Sequence, residues 1–359
     1  MKRLSDQKLK EYDESYIDQI GGTLSKRFIR VDSEFIIKYF DEISKPNSSY
    51  MSYADELIRE CYDPDYRDKN GKKELPLKYF SVMLKDCSTH ATDNGAYLEV
   101  MNSRLANLLG VPTVYNVRAI NHDVDYVMSL DFLKDGEKLV TLDDIAEFYL
   151  SNTSSGKINL EYNEFVNISE WSTLLSNVLD CAIDCRNPKM KIRKQEIIED
   201  FCIQLLYRSL IACDTDLSPY NIGIVFDKNG YPSHLAPAHD FEFCGTIPYS
   251  LPEYFDKCIN CFECLKERCP DRLNDFMDNL KKVCYYKNGQ FNPVRLNKVI
   301  NDSRDTTMTD GGALFYLKNL KKNISRLMFA YDKFKSSPNQ ELDNQDLVFE
   351  YTYDSDRYR

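Results

Sequence analysis

Residues 211–243, IACDTDLSPYNIGIVFDKNGYPSHLAPAHDFEF, restrict the fold more than any other part of the chain. An apolar run over 222–226 leads into an Asp/Asn/Gly turn at 227–230 and a return through Leu235 to Asp240, which predicts a strand hairpin. Such a hairpin brings together Asn221, which precedes it, and Asp240, which follows it. Asp216 precedes Asn221 by five residues, on a loop delivered by a helix expected to end near Cys213. Asp, Asn and a second Asp beside Phe241 have the spacing that a metal–nucleotide phosphotransfer site requires.

Phosphoryl transfer asks a protein mainly to position groups and to neutralise charge. One carboxylate orients the acceptor hydroxyl and takes its proton; an amide oxygen and a second carboxylate hold Mg2+, a hard cation that prefers oxygen ligands. Asp216 fits the first role, Asn221 the second and Asp240 the third. An isolated Asp-x4-Asn reads more simply as turn and cap residues, but the full arrangement around a hairpin does not.

With 359 residues, 43% of them apolar, the chain can bury a large core in one large or two modest domains. A formal charge of -11, with no basic run longer than the patch over 189–194, argues against direct nucleic-acid binding and for a protein or small-molecule partner. No apolar run follows Met1, Lys2 and Arg3, and none elsewhere reaches bilayer length, so the expectation is a cytoplasmic protein without a membrane partner. Twelve cysteines without a secretion signal then read as reduced thiols.

Residues 26–40 read as two strands around a turn at Asp32 and Ser33. From 46 to 94 the composition loosens, with one helix expected over 52–61, and this stretch reads as an insertion. The spacing over 97–109, stopping at Gly110, predicts a helix. Strands are expected over 111–117 and 125–132, then helices over 142–149, 170–182, 195–211, 251–265, 272–283 and 313–334. The halves meet near 131–136: an N-lobe over 1–131, a helical C-lobe over 132–335 and a polar tail over 336–359, with a further strand expected at 348–352.

A phosphotransfer site of this kind also needs a lysine that reaches the nucleotide phosphates and a helix glutamate that holds it. Lys38, closing FIIK a hairpin's length after Gly21, Gly22 and Thr23, fits the lysine. Glu99, in the first turn of the helix over 97–109, fits the glutamate.

These residues resemble the HipA-like serine/threonine kinases, bacterial relatives of the protein-kinase fold. LAPAHD is similar to that family's segment with the metal-binding Asp, and TDLSPYN to its catalytic loop. EVMNSRLANLLGVPT is similar to its glutamate helix, and YVMSLDF to its nucleotide hinge. The likeness runs in order over about residues 20–330. It implies an α+β, two-lobed protein-kinase-like fold with a strand-rich N-lobe and a mainly helical C-lobe, in a compact form lacking the N-terminal subdomain of the longer toxin kinases.

It further implies an ATP- and Mg2+-dependent Ser/Thr protein kinase acting on a protein substrate. Asp216 would be the catalytic base, Asn221 and Asp240 the metal ligands, and Lys38 with Glu99 the phosphate anchor. Gly21, Gly22 and Thr23 would form the glycine loop, and Leu130 with Phe132 the adenine hinge. Family members phosphorylate a residue of their own glycine loop; Thr23 and Ser25 are the candidates here. Two departures stand out: Ser218 replaces a usual lysine, and Glu56 and Glu60 rival Glu99 as the lysine's partner.

Two other readings remain open. Asp-Leu-x-Pro-x-Asn also occurs in aminoglycoside- and choline-type small-molecule kinases, and a pseudokinase would keep the fold as a binding module. Separately, Cys258, Cys261, Cys264 and Cys269 have nearly a ferredoxin spacing, but the last interval is a residue too long and the segment reads as helix.

Overall fold

The structure, a computed structural model, describes residues 9–11, 26–32, 79–86, 95–114, 116–121, 124–133, 136–152, 168–182, 187–241, 244, 251–294, 296 and 310–336. Gly21, Gly22, Thr23, Ser25, Lys38, Glu56 and Glu60 lie outside these residues, as do the second strand expected before residue 40, the helix over 52–61 and the run at 348–352.

Five antiparallel strands form the first lobe: β1 (Leu9–Glu11), β2 (Lys26–Asp32), β3 (Tyr79–Asp86), β4 (Asn116–Asn121) and β5 (Val124–Leu130), in the order β1-β2-β3-β5-β4. β3 is central, paired with β2 through Phe28↔Met83 and with β5 through Lys85↔Val127. Residues 79–86 are therefore integral to the sheet, and the insertion expected over 46–94 does not extend through them. The alternation Phe80, Val82, Leu84 is the period-2 pattern of such a strand, with Val82 and Leu84 fully buried.

Helix α1 (Gly95–Leu108) follows β3 and packs Ala96 and Val100 onto Val127, on the face that also carries Lys85. Gly110, at φ +83°, takes the left-handed conformation that closes the helix, and only glycine adopts it without cost. The strand expected at 111–117 is displaced: β4 starts at Asn116, and residues 111–114 form a link outside it. There Thr113 makes a parallel bridge to Ala238, Ala238 N–H donates to Pro112 O at 2.9 Å, and Val114 N–H donates to Ala238 O at 3.0 Å. This link stitches the sheet lobe to the segment preceding Asp240.

The second lobe contains a small antiparallel sheet and helices. β6 (Lys138–Thr141), β7 (Gly223–Phe226) and β8 (Pro232–Leu235) form the sheet, with Thr141 opposite Gly223. The helices are α2 (Leu142–Asn152), α3 (Ile168–Ala182), α4 (Pro188–Leu206), α5 (Leu251–Arg268), α6 (Pro270–Cys284) and α7 (Asp310–Ser336). Asn187 caps α4 by accepting from Lys189 N–H at 3.1 Å, with Pro188 in the first turn where no N–H is needed. Phe201, Leu205, Tyr207, Leu210, Tyr254, Phe262 and Leu327 lie in one continuous apolar core.

α4 does not end as an α-helix. Residues Tyr207–Ala212 continue it as a π-helical turn closed by Cys213 at φ +50°. Widening the helix at this point changes the direction of the side chains that follow, a device common near functional sites. The loop carrying Asp216 emerges directly from this turn. Among the described residues no helix is long and apolar enough to cross a membrane.

Candidate active site

A cleft of about 850 Å³, open solvent at its mouth included, lies between the lobes. Phe28, Met83 and Leu130 from the sheet, Phe132 and Leu133 from the link between the lobes, and Leu139 from β6 supply its apolar walls; Lys85, Glu99, Asp131 and Asp240 lie among its lining residues. Phe132, expected at the hinge, stacks on His239 with ring centroids 6.1 Å apart. The link is shaped locally: Asp131 N–H donates to Ser81 O at 3.1 Å, and Leu133 N–H donates to Asp131 Oδ1 at 3.0 Å, an Asx turn. Burial raises the Asp131 carboxyl above its ordinary pKa, against the lowering effect of that Leu133 hydrogen bond and one from Ser81.

The lysine that the structure sets beside Glu99 is Lys85, from β3. Its Nζ contacts Asp240 Oδ1 directly and stands 3.6 Å from Glu99 Oε2, with only 3% of the residue exposed. A lysine so deeply buried requires this opposite charge, since an unpaired ammonium would carry a large desolvation cost. Glu99 is held in turn. Oε1 accepts from Asn116 Nδ2 at 3.0 Å and from Asp240 N–H at 2.9 Å, and Oε2 accepts from Phe241 N–H at 2.7 Å. One carboxylate thus fixes a strand lysine and two successive backbone groups of the loop that carries Asp240.

Asp240 itself adopts φ +65°, a left-handed conformation that among non-glycine residues favours Asp and Asn. Phe241 anchors the loop: fully buried, it meets Tyr207 edge to face at 6.0 Å and lies under the Arg208 guanidinium at 5.1 Å.

Arg208, from the π-turn, ties the remaining parts together. Its Nε donates to Asp214 Oδ2 at 2.7 Å, with NH2 2.6 Å from the same oxygen, in a pair wholly removed from solvent. The same guanidinium donates to Asn221 O at 3.0 Å and to Asp240 O at 3.3 Å. Its planar fork is suited to such multiple contacts, and a lysine could not reproduce them. Burial pushes the Asp214 carboxyl up and the Arg208 charge opposes it. Asp214 Oδ1 also accepts from Asp216 N–H at 3.1 Å, so the buried pair positions the loop residue two places on.

The structure brings Asp216, Asn221 and Asp240 into one cluster. Asn221 Nδ2 donates to Asp216 O at 2.8 Å and approaches Asp216 Oδ2 at 3.4 Å. Asp216 is exposed on the loop, yet its carboxyl is raised above the ordinary value, first by partial burial and next by the negative charge of Asp240. Because a carbonyl can only accept, the Asn221 amide is fixed with its nitrogen toward Asp216, which leaves Oδ1 for a cation. An amide oxygen and a carboxylate suit Mg2+, which takes one or two protein oxygens and completes its shell with phosphate and water. Among the described residues no group of three His, Cys, Asp or Glu side chains is arranged to hold a metal ion by itself.

The cysteines of the ferredoxin-like spacing do not form such a group. Cys258, Cys261 and Cys264 lie within α5 and Cys269 just beyond it, all buried in the apolar core. Burial pushes Cys258 and Cys261 well above the ordinary thiol value.

Strand lysine, helix glutamate, an Asp-x4-Asn loop and a hairpin-borne Asp around an interlobe cleft make the fold a two-lobed, protein-kinase-like α+β arrangement. No protein-family model matches the chain, and no curated protein matches it. Among solved structures it is similar to the proinflammatory kinase CtkA of Helicobacter pylori, at 16% identity and a TM-score of 0.47, over 78% of this chain and 98% of that one. A chain of the Shewanella oneidensis MR-1 toxin–antitoxin complex of HipA, HipB and operator DNA is similar at 14% identity and a TM-score of 0.42, over 88% of this chain and 74% of that one.

Proposed function

We propose that the protein is an ATP- and Mg2+-dependent kinase that transfers the γ-phosphate to a Ser or Thr hydroxyl of a protein substrate. The observation that carries this reading is Lys85, buried at the edge of an apolar cleft between Glu99 and Asp240. In this reading the phosphate-anchoring lysine is Lys85 rather than Lys38.

Phe28, Met83, Leu130 and Phe132 would enclose the adenine, and Lys85, kept in place by Glu99, would contact the phosphates. Asn221 Oδ1 and the Asp240 carboxylate would hold Mg2+, which when bound neutralises charge on the phosphate oxygens. Asp216 would orient the acceptor hydroxyl and accept its proton; a raised pKa makes it the stronger base. The acceptor side is open, with Thr215, Asp216 and Tyr220 exposed, which suits a macromolecular hydroxyl better than an enclosed small molecule. Thr23 and Ser25 remain the proposed sites of autophosphorylation, and the acidic chain is not expected to bind nucleic acid directly.

The test is incorporation of label from γ-labelled ATP with Mg2+, using the purified chain alone and with an added protein mixture. Wild type should label acid-precipitable protein; Lys85→Met and Asp240→Asn should each lower the rate by about 10²-fold or more. Absence of labelling by wild type, label only in acid-soluble products, or full activity in Asp240→Asn would overturn the proposal.

A further inference from the structure

Ser129 stands directly opposite Asn116 in the pairing of β4 with β5, so both side chains leave the sheet on one face. On its other side Ser129 is opposite Met83 of β3, and the two line the cleft together. Ser129 Oγ and Asn116 Oδ1 are hydrogen-bonded, and Asn116 Nδ2 reaches Glu99 Oε1 at 3.0 Å. Ser129, Asn116 and Glu99 are all buried. A continuous polar path thus runs from the cleft wall to the carboxylate that accepts from Asp240 N–H and Phe241 N–H.

Given the phosphotransfer reading on which this rests, we propose that Ser129 is a positioning residue of the site, its hydroxyl fixing the Asn116 amide so that Glu99 holds the Asp240 loop in place to bind metal.

Donor and acceptor chemistry leaves one arrangement. Both Glu99 oxygens already accept backbone N–H groups, with the Lys85 ammonium 3.6 Å from Oε2, so Asn116 must present its NH2 group to Oε1. Asn116 Oδ1 therefore faces Ser129, and the hydroxyl is the donor between them.

Without that hydroxyl the amide has no good orientation. Left as it is, Oδ1 becomes a buried acceptor deprived of its donor. Turned over, it sets Oδ1 against Glu99 Oε1, two acceptors at hydrogen-bonding distance, and withdraws a donor from the carboxylate. Either way the grip of Glu99 on residues 240 and 241 weakens, while β4 and β5 keep their register through backbone pairing. Ser129 acts through Asn116 and Glu99 rather than by touching the metal, and its loss falls on metal binding more than on the fold.

The test measures Mn2+ affinity by electron paramagnetic resonance on the full chain saturated with a nonhydrolysable ATP analogue, with unfolding midpoints recorded alongside. Ser129→Thr keeps the hydroxyl and Ser129→Val has the same shape without it, so their comparison isolates the hydrogen bond. Ser129→Val should raise the Mn2+ dissociation constant about fivefold or more, as for a buried hydrogen bond lost, and Ser129→Thr should stay within about twofold of wild type. Ser129→Ala, which adds no volume, should match Ser129→Val and decides alone if the added methyl disturbs the fold. The Mg2+ concentration for half-maximal phosphotransfer should rise in the same proportion in both hydroxyl-free variants. Wild-type Mn2+ affinity in Ser129→Ala, whatever its unfolding midpoint, overturns the proposal, as does a folded Ser129→Thr weakened as much as Ser129→Val. A wild type that binds neither the analogue nor Mn2+ overturns the phosphotransfer reading itself, and the proposal with it.

Discussion

Glu99 Oε1 accepts the backbone N–H of Asp240 at 2.9 Å, so a side chain of the sheet lobe directly holds the loop that carries the proposed metal ligand. With Phe241 N–H and Asn116 Nδ2 donating to the same carboxylate, all three hydrogen-bond partners are donors. Glu99→Gln replaces one acceptor oxygen with an NH2 group that faces a donor. The expected loss is about 1–3 kcal/mol in urea unfolding, with a fall in phosphotransfer as the Asp240 loop loosens. A variant as stable as wild type would mean that water or another side chain replaces the lost acceptor.

Arg208 and Asp214 form a fully buried ion pair, and breaking one side leaves a stranded charge. Arg208→Met should cost about 3–5 kcal/mol. Replacing both, as Arg208→Met with Asp214→Leu, should recover much of that stability but not activity, because the ties to the Asn221 and Asp240 carbonyls stay absent. Equal stability losses in the single and double variants would show that those carbonyl contacts, rather than the stranded carboxylate, dominate.

Asp216 gives a prediction whose sign is set by its raised pKa. The native state holds the Asp216 proton more tightly than the unfolded chain does, so this group favours folding at low pH. That contribution is lost as pH climbs from the unfolded value through the raised native one, where the charged carboxylate is disfavoured. Asp216→Asn should therefore be at least as stable as wild type at neutral pH, while turnover falls by roughly 10²- to 10⁴-fold. In wild type, activity should decline on the acid side at a pH above the ordinary carboxylate range. Thermal melts at several pH values, paired with rate profiles, check both.

Gly223 lies against β6 so closely that a Cβ there would sit 2.6 Å from Leu139 Cδ1 and 2.9 Å from the Val140 carbonyl oxygen. The leucine tip can rotate, but the carbonyl belongs to the strand pairing. Gly223→Ala should cost about 1–3 kcal/mol, read by denaturant unfolding, and shift the adjacent Asn221. An unchanged midpoint would show that β6 moves aside freely.

Much of the candidate site was legible in sequence because its spacing is local. Asp216, Asn221 and Asp240 fall around one hairpin whose turn chemistry is explicit, and Glu99 falls on a helix with clear periodicity and a glycine stop. Lys85 was harder to see. Its strand shows a period-2 alternation, yet it follows a long polar stretch, and FIIK offers a similar lysine nearer the glycine pair. What selects Lys85 is pairing across β2, β3 and β5, a long-range property.

Arg208 was missed for a related reason. It is the single charge in the apolar run 201–213, a signal of buried pairing. Its partners, however, include carbonyls of Asn221 and Asp240, which no side-chain pattern records. The shift from α to π geometry that aims it is likewise set by packing rather than local preference. β6 is too short to stand out by periodicity and becomes a strand only by pairing with β7.

Residue 240 is grasped from both sides, its amide by Glu99 and its carbonyl by Arg208. The sheet lobe cannot melt without releasing residues 240 and 241, and Arg208 then loses an acceptor and the aromatic ring beneath it. The boundary near 131–136 that composition makes plain is thus bridged at residue 240, so loosening of one lobe removes hydrogen-bond partners from the other.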